Sequence, residues 1–145
     1  MKPTWLEKLK KKGDLPKVVK LSGNKAKRWG GKTLAIPCPE DVAAIMKKVP
    51  KGKVITTGDI RTKIAKKYKA EAGCPLTTGI FTWIAANASE EADLGIPYWR
   101  TLKTGGELND KYPGGIMFQK SALKKEGHKV VQKGKKWIVE NFGKK

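Results

Sequence analysis

The sequence contains few of the side chains from which metal sites and disulfide frameworks are built. Its 145 residues include two cysteines, Cys38 and Cys74, and one histidine, His128. Structural zinc sites use four Cys or His ligands, and disulfide-rich domains need several cysteine pairs. We therefore expect no metal, no cofactor and no disulfide framework.

Long apolar runs are also missing. No stretch approaches the ~20 apolar residues that a membrane-spanning helix needs, and the first residues are charged, unlike the apolar core of a secretory signal. The composition is 39% hydrophobic, which is typical of a folded chain and not of a disordered one. The sequence predicts an intracellular, cytoplasmic protein without a membrane partner.

Acidic residues are scarce relative to basic ones. Thirteen Asp and Glu stand against 32 Lys and Arg, a formal net charge of +19. A field of this sign attracts polyanions, and nucleic acid is the partner that it indicates first. An anionic membrane surface is an alternative, but the lysines are spread along the chain and not gathered on one amphipathic helix. Packing of the ribosomal or chromatin type is also compatible with this composition.

The first predicted unit, residues 1–36, is a basic helix and arm. Thr4 and Glu7 have the spacing of a capping box, which predicts a helix from Trp5 to about Lys12. Residues 18–21 indicate a short extended piece, and a loop should follow over residues 22–32. Gly13 is expected to end the helix.

The charge of this arm allows two interpretations. Residues 1–35 contain eleven basic and two acidic side chains, a net of +9. The arm is either a solvated, mobile segment or a phosphate-binding segment in which Trp5 or Trp29 is available to pack or stack. Charge density alone does not decide between them.

Three helices are predicted in the middle of the chain. The first begins at residues 39–41, with acids in its first turn, as the helix dipole favours. The second is capped by Thr56 or Thr57, and the third is capped by Thr77 or Thr78 and runs to about Asn87. Two short helices joined by a tight glycine-containing turn have the outline of a helix-turn-helix, although a plain helical hairpin shares that outline.

The third helix is expected to divide into an inward apolar side and an outward polar side. The inward residues should be Ile80, Phe81, Ile84 and Ala85. The residues expected to face DNA are Thr77, Thr78, Thr82 and Asn87. The acidic residues that follow, Glu90, Glu91 and Asp93, are expected in a solvent loop.

The last third of the chain adds small β elements. Residues 103–106 predict a hairpin turn, and a hairpin beside a helix-turn-helix is a wing. A short helix is expected over residues 119–125 and a terminal β-hairpin over residues 130–139. The predicted fold class is mostly α with small β elements: a winged helix-turn-helix domain with a basic N-terminal arm and a C-terminal β-hairpin.

Short motifs between residues 37 and 139 follow one another in a characteristic order. They are Val49-Pro50-Lys51-Gly52-Lys53-Val54, Gly58-Asp59-Ile60, Gly73 with Pro75, Ile96-Pro97 with Arg100, Gly114-Gly115, Gln119, Leu123 and Glu126-Gly127-His128. In order and spacing they resemble the C-terminal domain of the O6-alkylguanine-DNA alkyltransferases (methylated-DNA–protein-cysteine methyltransferases) and the related alkyltransferase-like proteins. The resemblance implies that residues 37–145 form a winged helix-turn-helix that enters the minor groove and flips a damaged base into a pocket.

The sequence departs from that family at the residues that carry its chemistry. The family motif reads Pro-Cys-His-Arg, with the cysteine as alkyl acceptor, whereas this chain has Pro97, Tyr98, Trp99 and Arg100. A phenol has an unperturbed pKa near 10 against about 8.5 for a thiol and is the poorer nucleophile. We therefore expect no methyltransferase activity. An enzyme that uses Cys38 or Cys74 instead is the alternative, although neither aligns with the acceptor.

The resemblance instead favours the alkyltransferase-like proteins, which also lack the acceptor cysteine and mark alkylated guanine for DNA repair. By that likeness, Tyr98, Trp99 and Glu126 would line a lesion pocket. A plain core role for the two aromatic rings is the other interpretation. Two family features are altered here: the arginine that fills the gap left by a flipped base falls near Gly79, and the tyrosine that turns the target phosphate falls near Thr57.

These observations predict a non-enzymatic, monomeric protein that binds double-stranded DNA, with alkylated duplex as a candidate ligand and a nucleoid location when bound. The remaining residues expected at DNA are Thr57, Arg61, Lys63, Arg100 and Lys103. The alternative is a generic basic DNA- or RNA-binding protein without damage specificity. The sequence does not identify a repair-protein partner.

Overall fold

The computed structural model describes residues 4–11, 13–29 and 31–140. The α-helices are α1 (Trp5–Lys10), α2 (Asn24–Trp29), α3 (Pro39–Lys47), α4 (Thr57–Lys67), α5 (Pro75–Ala92) and α6 (Gly115–Lys125). The strands are β1 (Lys17–Lys20), β2 (Thr33–Ile36), β3 (Ile55–Thr56), β4 (Ala72–Gly73), β5 (Thr101–Leu102), β6 (Val130–Lys133) and β7 (Lys136–Val139). A 3₁₀ turn covers Tyr98–Arg100.

The N-terminal helix is capped as predicted and is held against α5. The Thr4 hydroxyl oxygen accepts a hydrogen bond from the backbone N–H of Glu7. The carboxylate of Glu91 on α5 accepts hydrogen bonds from the N–H groups of Trp5 and Leu6, at 3.3 and 3.2 Å. A carboxylate at a helix N-terminus satisfies unpaired N–H groups and complements the helix dipole. The helix ends at Lys10; Lys12, the predicted end, lies outside the described residues.

The arm also contributes to a small sheet that the sequence did not predict. Strand β1 pairs antiparallel with β2, and β2 pairs in parallel with β4, giving the order β1-β2-β4. The predicted loop over residues 22–32 is wrong in part, because α2 forms within it. The pairing of β2 with β4 crosses the predicted domain boundary at residues 36 and 37, and the division into two units stays a prediction. Trp29 was suggested as a residue that packs or stacks, but its side chain lies outside the part of the chain that the structure describes.

The helices α3, α4 and α5 surround the main core. Val42 and Met46 of α3, Ile60 and Ile64 of α4, and Ala85 of α5 are all fully buried there. Helix α4 begins with the predicted capping box, in which Thr56 accepts from the N–H of Asp59 and Asp59 accepts from the N–H of Thr56. The buried residues of α4, Ile60 and Ile64, lie four positions apart, which is the spacing of one face of an amphipathic helix.

A glycine allows α4 and the strand before α5 to approach closely. A Cβ atom on Gly73 would lie 2.3 Å from the carbonyl oxygen of Arg61. The Nε of Arg61 donates a hydrogen bond of 2.9 Å back to the carbonyl oxygen of Gly73. The turn between the two helices is therefore fixed on both sides by this pair of residues.

Helix α5 is longer than predicted at both ends. It begins at Pro75 after the N-cap Cys74, because proline suits the first helical position. It continues through Glu90 and Glu91 to Ala92 and is followed by the C-cap Asp93, which has a left-handed φ of 51°. The predicted acidic solvent loop is therefore wrong, and its two glutamates belong to the last turns of the helix.

The C-terminal part is organised around a second apolar cluster. Its buried members are Leu102, Leu108, Leu123, Val130 and Val139. Strand β5 pairs in parallel with β3, and β6 and β7 form the predicted terminal hairpin. The predicted turn over residues 103–106 is present. Leu108, two residues after the turn, donates a hydrogen bond from its backbone N–H to the carbonyl oxygen of Trp137 on β7. The predicted fold class is confirmed, with α6 starting four residues earlier than expected.

Candidate nucleic-acid interface

The residues that resemble the family's acceptor motif lie on the 3₁₀ turn between α5 and β5. Arg100 closes the turn, and its guanidinium is held by Glu126: Nε lies 3.0 and 3.1 Å from the two carboxylate oxygens, and Nη2 lies 2.6 Å from one. Nη1 donates to the carbonyl oxygen of Val49 at 2.8 Å. The hydrogen bonds from Arg100 hold the pKa of Glu126 below its usual value, against the opposing effect of burial.

This geometry corrects two predictions. Arg100 was expected among the residues at DNA, but its side chain is largely buried and bonded to Glu126 and Val49. Glu126 was expected in a lesion pocket, but its carboxylate serves as the partner of that guanidinium. The pair fixes the turn against α6 and the end of α3, so both residues have a structural role here.

Tyr98 stands where the resemblance places the acceptor cysteine. Its side chain is 3% exposed, and its hydroxyl donates to a carboxylate oxygen of Glu90 at 3.2 Å, with the carbonyl oxygen of Pro113 at 3.4 Å. Burial, together with the negative charge and hydrogen bond of Glu90, raises the pKa of Tyr98 to about 12. The phenol is therefore neutral near neutral pH and unsuited to nucleophilic attack on an alkyl group.

An aromatic cluster fills the space around Tyr98. Its ring meets Trp99 and Tyr112 edge-on, with centroids 5.5 and 5.6 Å apart, and lies in a stacked arrangement with Phe118 at 5.9 Å. Phe118 fits there because Gly114 has no side chain: a Cβ on Gly114 would lie 2.6 Å from that of Phe118. In this conformation Tyr98 and Trp99 belong to a set of packed rings, and the lesion pocket that they were expected to line stays a prediction.

Sequence reasoning missed Tyr112 and Phe118 as members of this cluster. Tyr112 is 3% exposed, and burial raises its pKa well above the usual range. The two residues follow Tyr98 by fourteen and twenty positions, across the residues of the wing, so no local spacing connects them. Their one sequence signal is a position beside Gly114-Gly115, a motif that the resemblance had already picked out.

The two cysteines are buried at the starts of helices. Cys38 precedes α3 and Cys74 precedes α5, and their side chains are 4% and 5% exposed. Cys74 packs with Leu34 and Ala72 in a small cluster under the N-terminal sheet. A reactive thiol needs access and a basic environment. Neither position offers access to a DNA substrate in this conformation.

The prediction that threonines on α5 face DNA is wrong. Thr78 and Thr82 are fully buried, and the Thr82 hydroxyl donates to the carbonyl oxygen of Gly79 at 2.7 Å. The hydroxyl oxygen of Thr77 is buried as well. Asn87 is half-buried and its amide donates to the carbonyl of Trp83 at 2.9 Å. The threonines therefore pack inside, and the expected polar recognition surface does not form.

The outward face of α5 is apolar instead. Leu76 is 64% exposed, Ile80 is 50% exposed and Trp83 is 36% exposed. Ile80 had been predicted to face inward. The helix carries apolar residues on most of its circumference, so the spacing of residues 76, 80 and 83 competes with that of residues 81, 84, 85 and 88. Only packing against α1, α3 and α4 decides which set is buried.

The predicted phosphate-binding cations lie on α4 and on the wing. Lys63 is exposed on α4, and Arg61 is anchored at the turn before α5 by its bond to Gly73. Lys103 on the wing is part-exposed and lies 4.0 Å from Asp110. Thr57, at the start of α4, has its hydroxyl oxygen 3.3 Å from that of Thr104 on the wing. The structure thus brings the start of α4 together with the wing, and Lys63 and Lys103 are accessible for phosphate contacts.

Other candidate sites offer little chemistry. Two open surface hollows have volumes of about 460 and 260 Å³, one along α6 and one between α4 and β4. Neither is lined by Tyr98 or Trp99. Among residues 4–11, 13–29 and 31–140, no group of three or more His, Cys, Asp or Glu side chains is placed to hold a metal ion. None of the described helices is long and apolar enough to cross a membrane.

The helix-turn-helix formed by α4 and α5, with the wing beside it and the terminal hairpin, defines a winged helix-turn-helix fold. The solved structures that share it include two from S. pombe. S. pombe Atl1 in complex with damaged DNA containing O6-carboxymethylguanine is 19% identical, with a match that covers 70% of this chain and 86% of that chain and a TM-score of 0.51. S. pombe ATL in complex with DNA is 20% identical, with coverage of 72% and 89% and a TM-score of 0.53. No protein-family model matches the sequence, and no curated protein matches it.

Proposed function

We propose that this chain is a non-enzymatic protein that binds double-stranded DNA through α5, with the wing and the N-terminal lysines holding the phosphates. The observation that carries the proposal is the combination of an exposed α5 face with a net charge of +19. The likeness of the fold to structures solved with DNA supports it. A positively charged surface around a projecting helix is the usual footprint of a DNA-binding domain.

The lack of enzymatic activity is proposed from the environment of the acceptor position. Tyr98 is buried, neutral and bonded to Glu90. Glu126 is engaged with Arg100, and Trp99 has no group that relays a proton. The test is incubation of the protein with methylated duplex DNA, followed by intact-mass measurement. A mass increase of one methyl group on the protein would reject this part of the proposal.

The binding itself is tested by its salt dependence. If about six phosphates are contacted, a plot of log affinity against log salt should have a slope of about −5. Fluorescence anisotropy of a labelled duplex measures this slope directly. Affinity that stays constant from low to moderate salt would contradict an electrostatic interface, and preference for RNA or single strands would favour the alternative of a generic RNA-associated protein.

A narrower candidate function is recognition of O6-alkylguanine by the aromatic cluster. It is favoured by the exposure of Phe118, whose side chain is 42% exposed while it covers the nearly buried Tyr98. Movement of Phe118 would open space for a flipped base against the rings of Tyr98 and Trp99. Competition between alkylated and plain duplexes of one sequence tests this, and equal affinity would leave duplex binding without damage recognition.

A further inference from the structure

We propose that the outward face of α6 holds a second segment of duplex DNA, so that one molecule of this protein bridges two duplexes. The inference rests on the proposed function, because α5 and the wing would hold the first duplex. We call the second surface the α6 lysine face. It consists of Met117, Lys120, Ser121, Lys124 and Lys125.

The α6 lysine face presents three cations on one side of a helix. Its members are spaced i, i+3, i+4, i+7 and i+8, which places them on one side of α6. They line an open hollow of about 460 Å³. Lys124 and Lys125 are exposed, and the ammonium of Lys120 lies 3.9 Å from the centroid of the Trp137 ring. The contact with Trp137 holds one of the three charges in a fixed place.

The acids of this region do not neutralise the face. Residues 111–140 include eight lysines and two glutamates. Glu126 is bonded to Arg100 at 2.6 Å, and Glu140 is paired with Lys129 at 3.3 Å. Within the described part of the chain, no ion pair involves the three lysines of the face. Their positive charge is therefore available to a partner outside the chain.

The α6 lysine face is separate from the face of α5 that would meet the first duplex. Leu123 of α6 is buried in the second apolar cluster, whereas α5 packs in the main core. The hydroxyl of Tyr98 connects the two helices, because it bonds to Glu90 in the last turns of α5 and to the carbonyl oxygen of Pro113 just before α6. The exposed Leu76 precedes Glu90 by fourteen residues, or roughly 21 Å along the helix. Two different duplexes can therefore occupy the two surfaces.

The composition of the face favours nucleic acid over a protein partner. Three of its five side chains are lysines, a fourth carries a hydroxyl, and only Met117 is apolar. The cores of protein–protein interfaces are depleted in lysine and enriched in aromatic residues. Lysine and serine side chains are, by contrast, ordinary contacts of phosphate oxygens. The turn of the terminal hairpin, beyond Trp137, adds three more exposed lysines: Lys133, Lys135 and Lys136.

The experiment mixes the full chain with two duplexes of about 15 base pairs, one labelled with a donor fluorophore and the other with an acceptor. Duplexes so much shorter than the persistence length of about 150 base pairs stay rigid and cannot bend around the protein to reach both surfaces. Wild-type protein should produce energy transfer between the duplexes when duplex is in excess. Excess protein should abolish the transfer, because each duplex then binds a separate molecule. Sedimentation velocity should show one protein with two duplexes.

The variant Lys120→Gln, Lys124→Gln, Lys125→Gln tests the α6 lysine face. It should lower the energy transfer by about tenfold or more, because three phosphate contacts of the second duplex are removed. Replacement of the same three residues by arginine keeps the charge and should retain the transfer. If the glutamine variant fails to fold by circular dichroism, Lys124→Gln with Lys125→Gln leaves the contact with Trp137 intact and should also lower the transfer.

The matched control removes the same charge elsewhere. It is the triple variant Lys47→Gln, Lys48→Gln, Lys69→Gln, at exposed positions near the ends of α3 and α4. This control should retain the energy transfer. With labelled duplex at limiting concentration, the two glutamine variants should have affinities within about twofold of each other, because both lose the same charge and both keep the first surface.

The outcomes separate the inference from the function on which it rests. Wild-type protein that binds each duplex without energy transfer between them overturns the bridging and leaves duplex binding in place. Equal losses of transfer in the α6 variant and the control would assign the effect to net charge and would also overturn it. Complexes of two proteins with two duplexes would place the link between two copies of the chain and would overturn it as well. Failure of the wild-type protein to bind any duplex overturns the proposed function itself.

Discussion

The hydroxyl of Tyr98 lies 3.2 Å from a carboxylate oxygen of Glu90, one residue from the glutamate that caps α1. The last turn of α5 therefore fixes two separate parts of the chain, the 3₁₀ turn through Glu90 and the N-terminal helix through Glu91. For Tyr98 the consequence is electrostatic. A buried phenol beside a carboxylate stays protonated, because ionisation would place two negative charges together.

The first prediction concerns the titration of the tyrosines. All three, Tyr68, Tyr98 and Tyr112, have pKa values raised chiefly by burial, and that of Tyr98 reaches about 12. In the folded protein, tyrosinate absorbance should therefore stay low at pH 10, where the unfolded chain is half ionised. Spectrophotometric titration with and without urea measures the difference.

The same shift makes part of the stability depend on alkaline pH. The folded pKa of Tyr98 is raised, so its contribution is complete below pH 10 and is lost as the pH rises through about 12. Compared with Tyr98→Phe, the wild-type protein should lose free energy of unfolding over this interval. Parallel stability curves for the two proteins would contradict the raised pKa.

The second prediction concerns the buried ion pair. Glu126→Gln should lower the free energy of unfolding by about 3 kcal/mol near neutral pH, because it leaves the buried Arg100 charge without its partner. The control is Glu140→Gln, which removes an exposed pair with Lys129 at 3.3 Å and should cost about 0.5 kcal/mol. Urea unfolding measures both values.

The pH dependence of that pair has the opposite sign to that of Tyr98. The folded pKa of Glu126 is lowered from 4.5, chiefly by the hydrogen bonds from Arg100. Its contribution is therefore present above pH 4.5 and is lost as the pH falls through the folded value. Wild type and Glu126→Gln should converge in stability in acid, and a constant gap would contradict the assignment.

Sequence reasoning located the elements whose signals are local. The helix caps at Thr4 and Thr56 and the terminal hairpin depend on spacings of a few residues, and the structure confirms them. The family resemblance correctly indicated the winged helix-turn-helix fold. These features follow from hydrogen bonding and periodicity within one segment.

The features that were missed depend on contacts between distant segments. Strand β2 forms because β4, about forty residues later, supplies a partner for its backbone. On α5, whose apolar residues occupy most of the surface, the burial of Thr78 and the exposure of Ile80 are set by the helices packed around it. The prediction that the threonines of α5 face DNA failed for this reason, because the outward face of the helix was inferred from polarity alone.

The third prediction contrasts two glycines. Gly73→Ala should destabilise the protein by about 3 kcal/mol, because its Cβ would lie 2.3 Å from the carbonyl oxygen of Arg61, and backbone atoms move at a high cost. Gly79→Ala should stabilise by about 0.5–1 kcal/mol, because the position is helical and open. Thermal unfolding measures both variants. A higher Tm for Gly73→Ala than for Gly79→Ala would contradict the fold around α5.

The last prediction tests α5 as the helix that meets DNA. Gly79→Arg adds a cation at the position where the resemblance places the family's arginine, in open space on the exposed face. It should raise duplex affinity several-fold and make the log–log salt slope steeper by about one unit, as expected for one added phosphate contact. The control Val18→Arg adds the same charge on β1, outside α5, and should leave the slope unchanged. Anisotropy titrations over a salt series compare the two, with Gly79→Ala accounting for the gain in helix stability. Equal slopes for both arginine variants would mean that the added charge acts through the overall field of the protein, and α5 would then have no special place at the duplex.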